Sequence, residues 1–432
     1  MSSSLTHYLG TEAEGMSPDA AAGILVDRLK NAGDLGDRRD ALEALLGLSE
    51  THPAEVGQAG MPVFTDILQA GIADGSMSQT IIEIMLNLVT GRGVEGTGGG
   101  PGIASNIAAI LMDIQNVQNL LDLLESPDTL TALSAVQVLQ ELQGVAAHSL
   151  ETSILECHAS MQALMEALRD PREEVRNEVI LLLGKLTATN HEVKKFVAFQ
   201  EGFERLFSIM REEGMLEGGG VIVKDCLDVC LNLMMGSSVT QLLFCQSGCL
   251  NVLHELFDVR VLVDTGMREN GNREDFNDFS GVGENGADEE HFCVPLPSFQ
   301  VIPLMTDLQS DIVSKAVEIL LVLLEVGGGE GAEESQGQEK EQRWFTHSSN
   351  GDAGVRAVAG GGGGGGGHRE KSQSAVAGAA SGLLVELLVH VAFSRAEPYC
   401  LVPLNCRRKA VRVMGAVVEG CQDNQHLVGE VC

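Results

Sequence analysis

One helix-like block occurs twice in succession between Val175 and Val259. The first copy contains the apolar run V-R-N-E-V-I-L-L-L-G-K-L, and the second contains V-K-D-C-L-D-V-C-L-N-L-M. Leu182 then aligns with Cys230 and Phe196 with Phe244, at offsets of about 47–48 residues. A period of roughly 40 to 47 residues that is built only of helices is the sequence signature of an α-solenoid.

The fold class follows from this repeat. The preceding block fits the same period, because Val136 aligns with Val179 and Leu139 with Leu182 about 43 residues later. Aromatic residues make up only 4% of the chain and β-branched alternation is rare, which argues against a sheet protein. We therefore expect an all-α fold, specifically an armadillo/HEAT-like right-handed α-solenoid with two disordered insertions.

Changes in composition set the expected domain boundaries. Residues 260–300 are rich in Asp, Glu, Asn and Gly, and Gly360 to Gly367 are consecutive glycines, each costing a helix about 1 kcal/mol relative to Ala. The expected divisions are a flexible leader at 1–16, armadillo-like repeats at 17–259 with a loop at 91–102, an acidic disordered insert at 260–300, repeat helices at 301–326, a Gly/Glu-rich disordered linker at 327–374, and final repeat helices at 375–432.

Proline and small polar residues predict several helix boundaries. Ser17 followed by Pro18 predicts an N-cap with proline at the first helical position. The sequence Asp170-Pro171 predicts a tight turn between repeats, and Pro62 predicts the start of the third helix.

The charge of the chain restricts its partners. The formal net charge is −33, so binding to nucleic acid or to anionic lipid is not expected. No apolar run reaches the roughly 18 to 20 residues of a membrane span, and the first residues lack the plan of a signal peptide. We expect a soluble protein whose partners are proteins with basic patches and whose membrane contact is peripheral.

Residues that could carry chemistry form no convincing constellation. Cys226 and Cys230 lie four apart and could touch a metal together, but small buried apolar side chains at these positions explain them better. The glycine-rich loop lacks the Gly-Lys-Ser/Thr of a phosphate cradle, and Cys157 and His158 are adjacent on a helix and point apart. We therefore expect no catalytic residue, no cofactor and no metal site.

The segment from Phe199 to Glu213 is the best candidate for partner binding. Phe199, Phe203 and Phe207 recur every four residues and indicate a core stripe, so the charged residues of this segment are expected to lie on the other side. Lys224 and Asp225 open the next repeat after a glycine loop and are expected to lie nearby. Ordinary surface charges would give the same pattern. The partner-binding candidates are Glu201, Glu204, Arg205, Arg211, Glu212, Glu213, Lys224 and Asp225.

Two strings in this region carry a family resemblance. V-A-F-Q-E-G-F-E-R-L-F-S-I-M-R-E-E-G from Val197 to Gly214 and C-L-N-L-M-M-G-S-S-V-T-Q-L-L-F from Cys230 to Phe244 resemble the globular head of the general vesicular transport factor family. L-G-D-R-R-D-A-L-E-A-L near the start and V-V-E-G-C-Q-D-N-Q near the end also match. The resemblance extends over nearly the whole chain apart from the two insertions.

The resemblance implies a non-catalytic head that tethers vesicles in ER-to-Golgi and intra-Golgi transport. The implied partners are a Rab-type small GTPase, golgins and SNARE machinery, and the head is expected to form a homodimer. The implied location is cytoplasmic, peripherally associated with Golgi and transport-vesicle membranes. The chain stops at Cys432, before the coiled-coil tail of the family, so the head is expected to be truncated.

A general armadillo-repeat adaptor or scaffold is the alternative function. Such a protein would act in nuclear transport or as a phosphatase or chaperone regulator. A nuclear-transport receptor would present a ladder of Trp and Asn, and the single tryptophan, Trp344, speaks against that version.

Overall fold

The computed structural model describes residues 16–70, 75–91, 107–218, 220–256, 307–324 and 404–418. Regular structure in these ranges is helical throughout, without a strand, and the expected all-α fold is confirmed. The helices are α1 Pro18–Asn31, α2 Leu35–Ser49, α3 Pro53–Gln69, α4 Gly75–Thr90, α5 Ile114–Asp122, α6 Thr129–Glu156, α7 His158–Ala167, α8 Glu173–Thr189, α9 His191–Phe199, α10 Gly202–Glu212, α11 Met215–Gly218, α12 Val221–Met234, α13 Ser238–Gln246, α14 Cys249–Val252, α15 Asp307–Leu324 and α16 Leu404–Val418, with 3-10 turns at Leu123–Glu125 and Leu253–Leu256.

Most of the expected insertions fall outside these ranges. Residues 1–15, 92–106, 257–306 and 325–403 are not described, so the leader, most of the glycine-rich loop, and the insertions at 260–300 and 327–374 remain predictions. Within the described ranges, helices of sufficient length and apolarity to cross a membrane do not occur.

The chain divides into two compact units, which are described separately. Unit 1 comprises Met1–Ile209 and Asp225–Ser247, and unit 2 comprises Met210–Lys224 and Gly248–Cys432.

In unit 1, one pattern of buried residues recurs in five helices. Two adjacent buried residues are followed, one position later, by a second buried pair. A third buried pair comes two positions after the second. Such spacing places one continuous stripe of a 3.6-residue helix in the core. The buried positions are 41, 42, 44, 45, 48 and 49 in α2; 81, 82, 84, 85, 88 and 89 in α4; 135, 136, 138, 139, 142 and 143 in α6; 179, 180, 182, 183, 186 and 187 in α8; and 226, 227, 229, 230, 233 and 234 in α12.

The helices of consecutive repeats follow one order along the chain. Helix α6 is interrupted at Ala146, whose φ of −145° and ψ of 53° are not helical, so a long segment is followed by a short one. Helices α8 and α9 repeat this long and short order, and α12 and α13 repeat it again. Each long and short pair is followed by a further helix, which is α7 after α6 and α10 after α9, so the block that the sequence repeats consists of three helices.

The two copies of the duplicated block differ in their aromatic packing. Phe244 is fully buried, and its ring centroid lies 5.1 Å from Phe203 and 5.9 Å from Phe207. Phe196, which the sequence aligns with Phe244, is only half-buried and meets the edge of His158 at 5.8 Å. Phe196 and Phe244 therefore occupy the same position in the repeat, but only Phe244 is a core residue.

Two helix starts test the boundary predictions. Ser17 Oγ accepts from the backbone N–H of Ala20 at 3.3 Å with Pro18 following, as expected. The start predicted at Pro62 is wrong, because α3 begins at Pro53 and runs through Pro62. Val56 and Met61 lie before Pro62 and are fully buried, so the burial of this apolar face outweighs the one backbone hydrogen bond that Pro62 cannot donate.

Polar side chains join successive repeats of unit 1. Asn232 Nδ2 donates to the carbonyl of Gly184 at 3.1 Å, and Gln140 Nε2 donates to the carboxylate of Glu178 at 2.6 Å. Lys194 is buried and donates to the carbonyl of Met235 at 3.2 Å. These bonds span 48, 38 and 41 residues of sequence, close to the length of one repeat.

Unit 2 contains α15 and α16, which pack together. Lys409 Nζ on α16 donates to Ser314 Oγ at 3.0 Å and lies 3.3 Å from the carboxylate of Glu318 on α15. Gln309 Nε2 donates to the carbonyl of Leu216 in α11 at 3.3 Å. Helical segments are thus found where the expected repeat helices at 301–326 and 375–432 are described.

Candidate partner-binding surface

Helix α10 presents an apolar face to the core and a charged face outward. Phe203, Leu206 and Phe207 are buried, whereas Glu204 between them is exposed. The expected core stripe fails at its first member, because Phe199 ends α9 with 42% of its surface exposed. The turn between α9 and α10 breaks the helical spacing that the sequence pattern assumed.

That turn is tightly packed and sets the direction of α10. Glu201 has a φ of +62°, which an L residue adopts rarely. A Cβ on Gly202 would lie 2.5 Å from the carbonyl oxygen of Val197 and 2.7 Å from its Cγ1. Glycine is therefore required at position 202 by the close approach of the preceding turn.

A chain of four charges lies at the start of α10 in unit 1. The carboxylate of Glu201 is 3.8 Å from Arg169, Arg169 is 3.5 Å from Glu166, and Glu166 is 3.6 Å from Arg205. The charges alternate in sign and link α10 to the end of α7. Glu201 in this chain of charges and Glu204, which lies outside it on α10, are the candidate residues of unit 1 that are exposed.

Arg205 is mostly buried, unlike the outward position expected for it. Its side chain retains 12% of its exposure, and Nη1 donates to the carbonyl of Met165. Its Nε is buried without a hydrogen-bond partner among the described residues. These contacts hold α10 against α7, so the guanidinium is bound within the protein and does not face outward.

Four candidate residues lie in unit 2. Arg211 is exposed and donates to Glu255 Oε1 at 2.9 Å. Glu212 is exposed, whereas Glu213 and Lys224 are half-buried. The last candidate, Asp225, is half-buried in unit 1. The eight candidates thus divide between the two compact units.

The turn before α8 contains a hydrogen-bonded ion pair, Asp170 with Arg172, that the sequence did not predict. Arg172 bonds the Asp170 carboxylate at 2.6 and 2.9 Å and donates to the carbonyls of Ser126 at 2.7 Å and Leu124 at 3.0 Å. The hydrogen bond from Arg172 holds the pKa of Asp170 below its usual value, against the opposing effect of burial. The only sequence signal was the Asp-Pro turn itself, which indicated a break but not an ion pair.

The cysteines of the repeat core are buried. Cys226 and Cys230 have no exposed surface, which confirms the interpretation of both as core residues. Burial raises the pKa of the Cys245 thiol to about 11, so this thiol stays protonated at neutral pH.

Comparison with curated proteins identifies relatives among vesicular transport factors. The general vesicular transport factor p115 of Homo sapiens is 32% identical over 263 residues, which cover 59% of this chain and 27% of the relative. Golgin candidate 6 of Arabidopsis thaliana is 34% identical over 218 residues, 47% of this chain and 23% of the relative. The intracellular protein transport protein USO1 of Saccharomyces cerevisiae is 35% identical over 113 residues, 26% of this chain and 6% of the relative. No protein-family model matches the chain.

A solved structure supports the fold. The crystal structure of Uso1-2 superimposes with a TM-score of 0.67 at 20% sequence identity, covering 95% of this chain and 52% of that chain. The likeness at this identity concerns the fold alone. The resemblance to general vesicular transport factors that the sequence strings indicated is confirmed by the relatives. The chain spans about a quarter of the length of the human relative.

Proposed function

We propose that this chain is the non-catalytic head of a vesicle-tethering factor in ER-to-Golgi and intra-Golgi transport. The observation that carries the proposal is the similarity over 263 residues to a relative named as a general vesicular transport factor. The proposal concerns a head because the chain corresponds to 27% of that relative. The location that follows is cytoplasmic, with peripheral attachment to Golgi and vesicle membranes through protein partners.

The partner that the head binds, in this proposal, is a Rab-type small GTPase. Glu201 and Glu204 project from the start of α10 in unit 1, and a negative surface favours a partner with a basic patch. Arg205 serves instead to position α10, because its guanidinium is bound to Met165 and Glu166. Golgins, SNARE machinery and a second copy of the chain are the further partners of a tether head.

Nucleotide-dependent binding tests this function directly. The full 432-residue chain is immobilised, and a panel of purified Rab-type GTPases is passed over it, each loaded with GDP or with a non-hydrolysable GTP analogue. We expect one GTPase of the early secretory pathway to be retained in the GTP form only. Light scattering on the same preparation measures whether the chain is a dimer.

A pair of charge reversals then locates the surface. Glu204→Arg is expected to weaken GTPase binding by about tenfold or more, because a rim charge of the wrong sign repels the partner. Glu83→Arg on α4 is the matched control, since Glu83 is also exposed and the change of charge is the same. Equal weakening by both variants would contradict the placement of the surface on α10. Absence of any nucleotide-dependent binding by the folded chain would favour the general armadillo adaptor instead.

A further inference from the structure

A pocket opens in unit 1 where the chain passes from α8 to α9, beside the second segment of α6. Its volume is about 410 Å3, within the range of about 300–1,000 Å3 that is common for ligand sites. Its lining consists of Ala147, His148, Glu151, Thr189, Asn190, His191 and Glu192.

The pocket contains a buried carboxylate that lacks a cation. Glu151 is only 5% exposed, and its Oε1 accepts from Gln143 Nε2 at 2.9 Å and from Thr189 Oγ1 at 3.4 Å. Its Oε2 accepts from Asn190 Nδ2 at 2.9 Å. All three donors are neutral, and Glu151 forms no ion pair with any residue that the structure describes. Carboxylates that are buried to this degree are ordinarily paired with a positive charge.

One acceptor position on this carboxylate is free. A carboxylate oxygen accepts two hydrogen bonds, and Glu151 Oε2 has one. Gln143, whose amide bonds Glu151, does not line the pocket, and its Oε1 is fully buried. A group that bonds Oε2 and balances the buried charge must donate hydrogen bonds and be positively charged. The guanidinium of arginine has five N–H donors and no acceptor, is more weakly hydrated than an ammonium, and meets this requirement.

The backbone fixes the orientation of the carboxylate's partner. Asn190 caps α9, and its Oδ1 accepts from the backbone N–H groups of Glu192 at 3.0 Å and Val193 at 3.1 Å. The amide therefore cannot turn over without losing the cap, and its Nδ2 must face Glu151. Glu151 is in this way held in place before any ligand arrives, which reduces the entropy lost on binding.

We propose that this pocket binds an arginine side chain of a partner protein, with the guanidinium donating to Glu151. The half-buried Glu192 on the pocket wall lies 4.0 Å from Lys195, so Glu151 is the carboxylate of the pocket that has no ion pair among the described residues. The site is separate from the surface of α10 and does not depend on the identity of a GTPase.

Two matched peptides test the proposal. The probes are a short peptide of alternating glycine and arginine and its twin in which citrulline replaces arginine. Citrulline keeps the length of the side chain but is neutral and carries a carbonyl acceptor in place of one donor. Calorimetry with the full chain is expected to show binding of the arginine peptide, weaker by about tenfold or more for the citrulline peptide. N-acetyl-arginine amide serves as a third probe, and it is expected to compete only at far higher concentration than the peptide.

Variants separate the pocket from the general negative charge of the chain. Ala147→Arg places a guanidinium at the half-buried pocket wall, and Ala109→Arg makes the same charge change at an exposed position elsewhere. We expect the first to lower the affinity for the arginine peptide about tenfold or more and the second to change it less than about twofold. Equal loss in both variants, or equal binding of the citrulline peptide, overturns the proposal. Circular dichroism confirms the fold of each variant. The design avoids Glu151→Gln, because the NH2 group of glutamine would face a donor that the carboxylate now accepts from, either Asn190 or Gln143.

Discussion

Single polar residues hold consecutive repeats at fixed distances along the chain. Arg172 donates to the carbonyls of Leu124 and Ser126 in the turn before α6, and Asp170 keeps the guanidinium in that position. Both side chains are largely buried, at 21% and 10% exposure, so the pair is more than an ordinary surface ion pair. The turn before α8 therefore depends on the charge of one carboxylate.

The substitution Asp170→Asn tests this dependence through pH. A group whose pKa is lowered by folding stabilises the protein above its unfolded pKa of about 3.9, and that contribution is lost as pH falls through the folded pKa. At pH 7 we expect the variant to lose about 1–3 kcal/mol in the free energy of unfolding. Urea unfolding of both proteins should show the difference narrowing as the pH is lowered below about 4.

Asp66→Asn provides the control for the same measurement. Asp66 is exposed on α3, so its substitution is expected to change the free energy of unfolding by less than about 0.5 kcal/mol. A difference for Asp170→Asn that stays constant between pH 7 and the acid range would show that the carboxylate's charge does not hold Arg172.

Two glycines, one in the turn before α10 and one inside α8, differ in the space around them. The turn from α9 to α10 leaves no room for a Cβ at Gly202, because the backbone of Val197 lies against it. Within α8, by contrast, a Cβ on Gly184 would make only an ordinary contact of 3.8 Å with Val229. A larger residue is therefore excluded at Gly202 but can be accommodated at Gly184.

Replacement of each glycine by alanine should shift stability in opposite directions. Gly202→Ala forces the backbone of the turn to move and is expected to lower the free energy of unfolding by about 1–3 kcal/mol. Gly184→Ala should raise it by about 0.5–1 kcal/mol, since alanine is the better helix former. Urea unfolding monitored by circular dichroism measures both. Equal destabilisation would mean that the helix interior at Gly184 is as crowded as the turn.

The sequence predicts those helices whose apolar residues recur with the period of a helix. Paired apolar residues such as Leu182 and Leu183 recur at the spacing of a helix stripe, so the long helices and their repeat were predictable. The exposure of Phe199 and the continuation of α3 through Pro62 were not predictable, because each depends on how a turn or a neighbouring face packs. The spacing of apolar residues along one helix does not indicate how that helix packs against others.

The candidate sites show the same division. The outward position of Glu204 follows from helix periodicity alone. The burial of Arg205 depends on Met165, 40 residues earlier, and the pocket at Glu151 depends on Asn190, 39 residues later. A charged residue on an amphipathic helix is normally solvated, so neither contact has a signal in the sequence.

At the scale of the whole molecule, negative charge dominates. The chain has 61 acidic and 28 basic residues, which give a net charge of −33. The acidic groups in excess repel one another in the compact state. The described ion pairs, such as those of Arg169 with Glu201 and Arg211 with Glu255, are mostly exposed and contribute little individually. Repulsion is therefore expected to outweigh attraction in the overall electrostatic energy.

Salt should consequently stabilise this protein while weakening its hold on basic partners. Raising NaCl from about 0.01 M to about 0.15 M shortens the screening length from about 30 Å to about 8 Å, which relieves repulsion between distant acidic groups. We expect the midpoint of thermal unfolding to rise over this range, measured by circular dichroism. The affinity for the arginine peptide should fall over the same range, because its attraction is screened as well. KCl in place of NaCl should give the same two trends, since screening depends on ionic strength. A midpoint that falls with salt would contradict this prediction. It would mean that attraction between charges of opposite sign, as around α7 and α10, outweighs the repulsion between acidic groups.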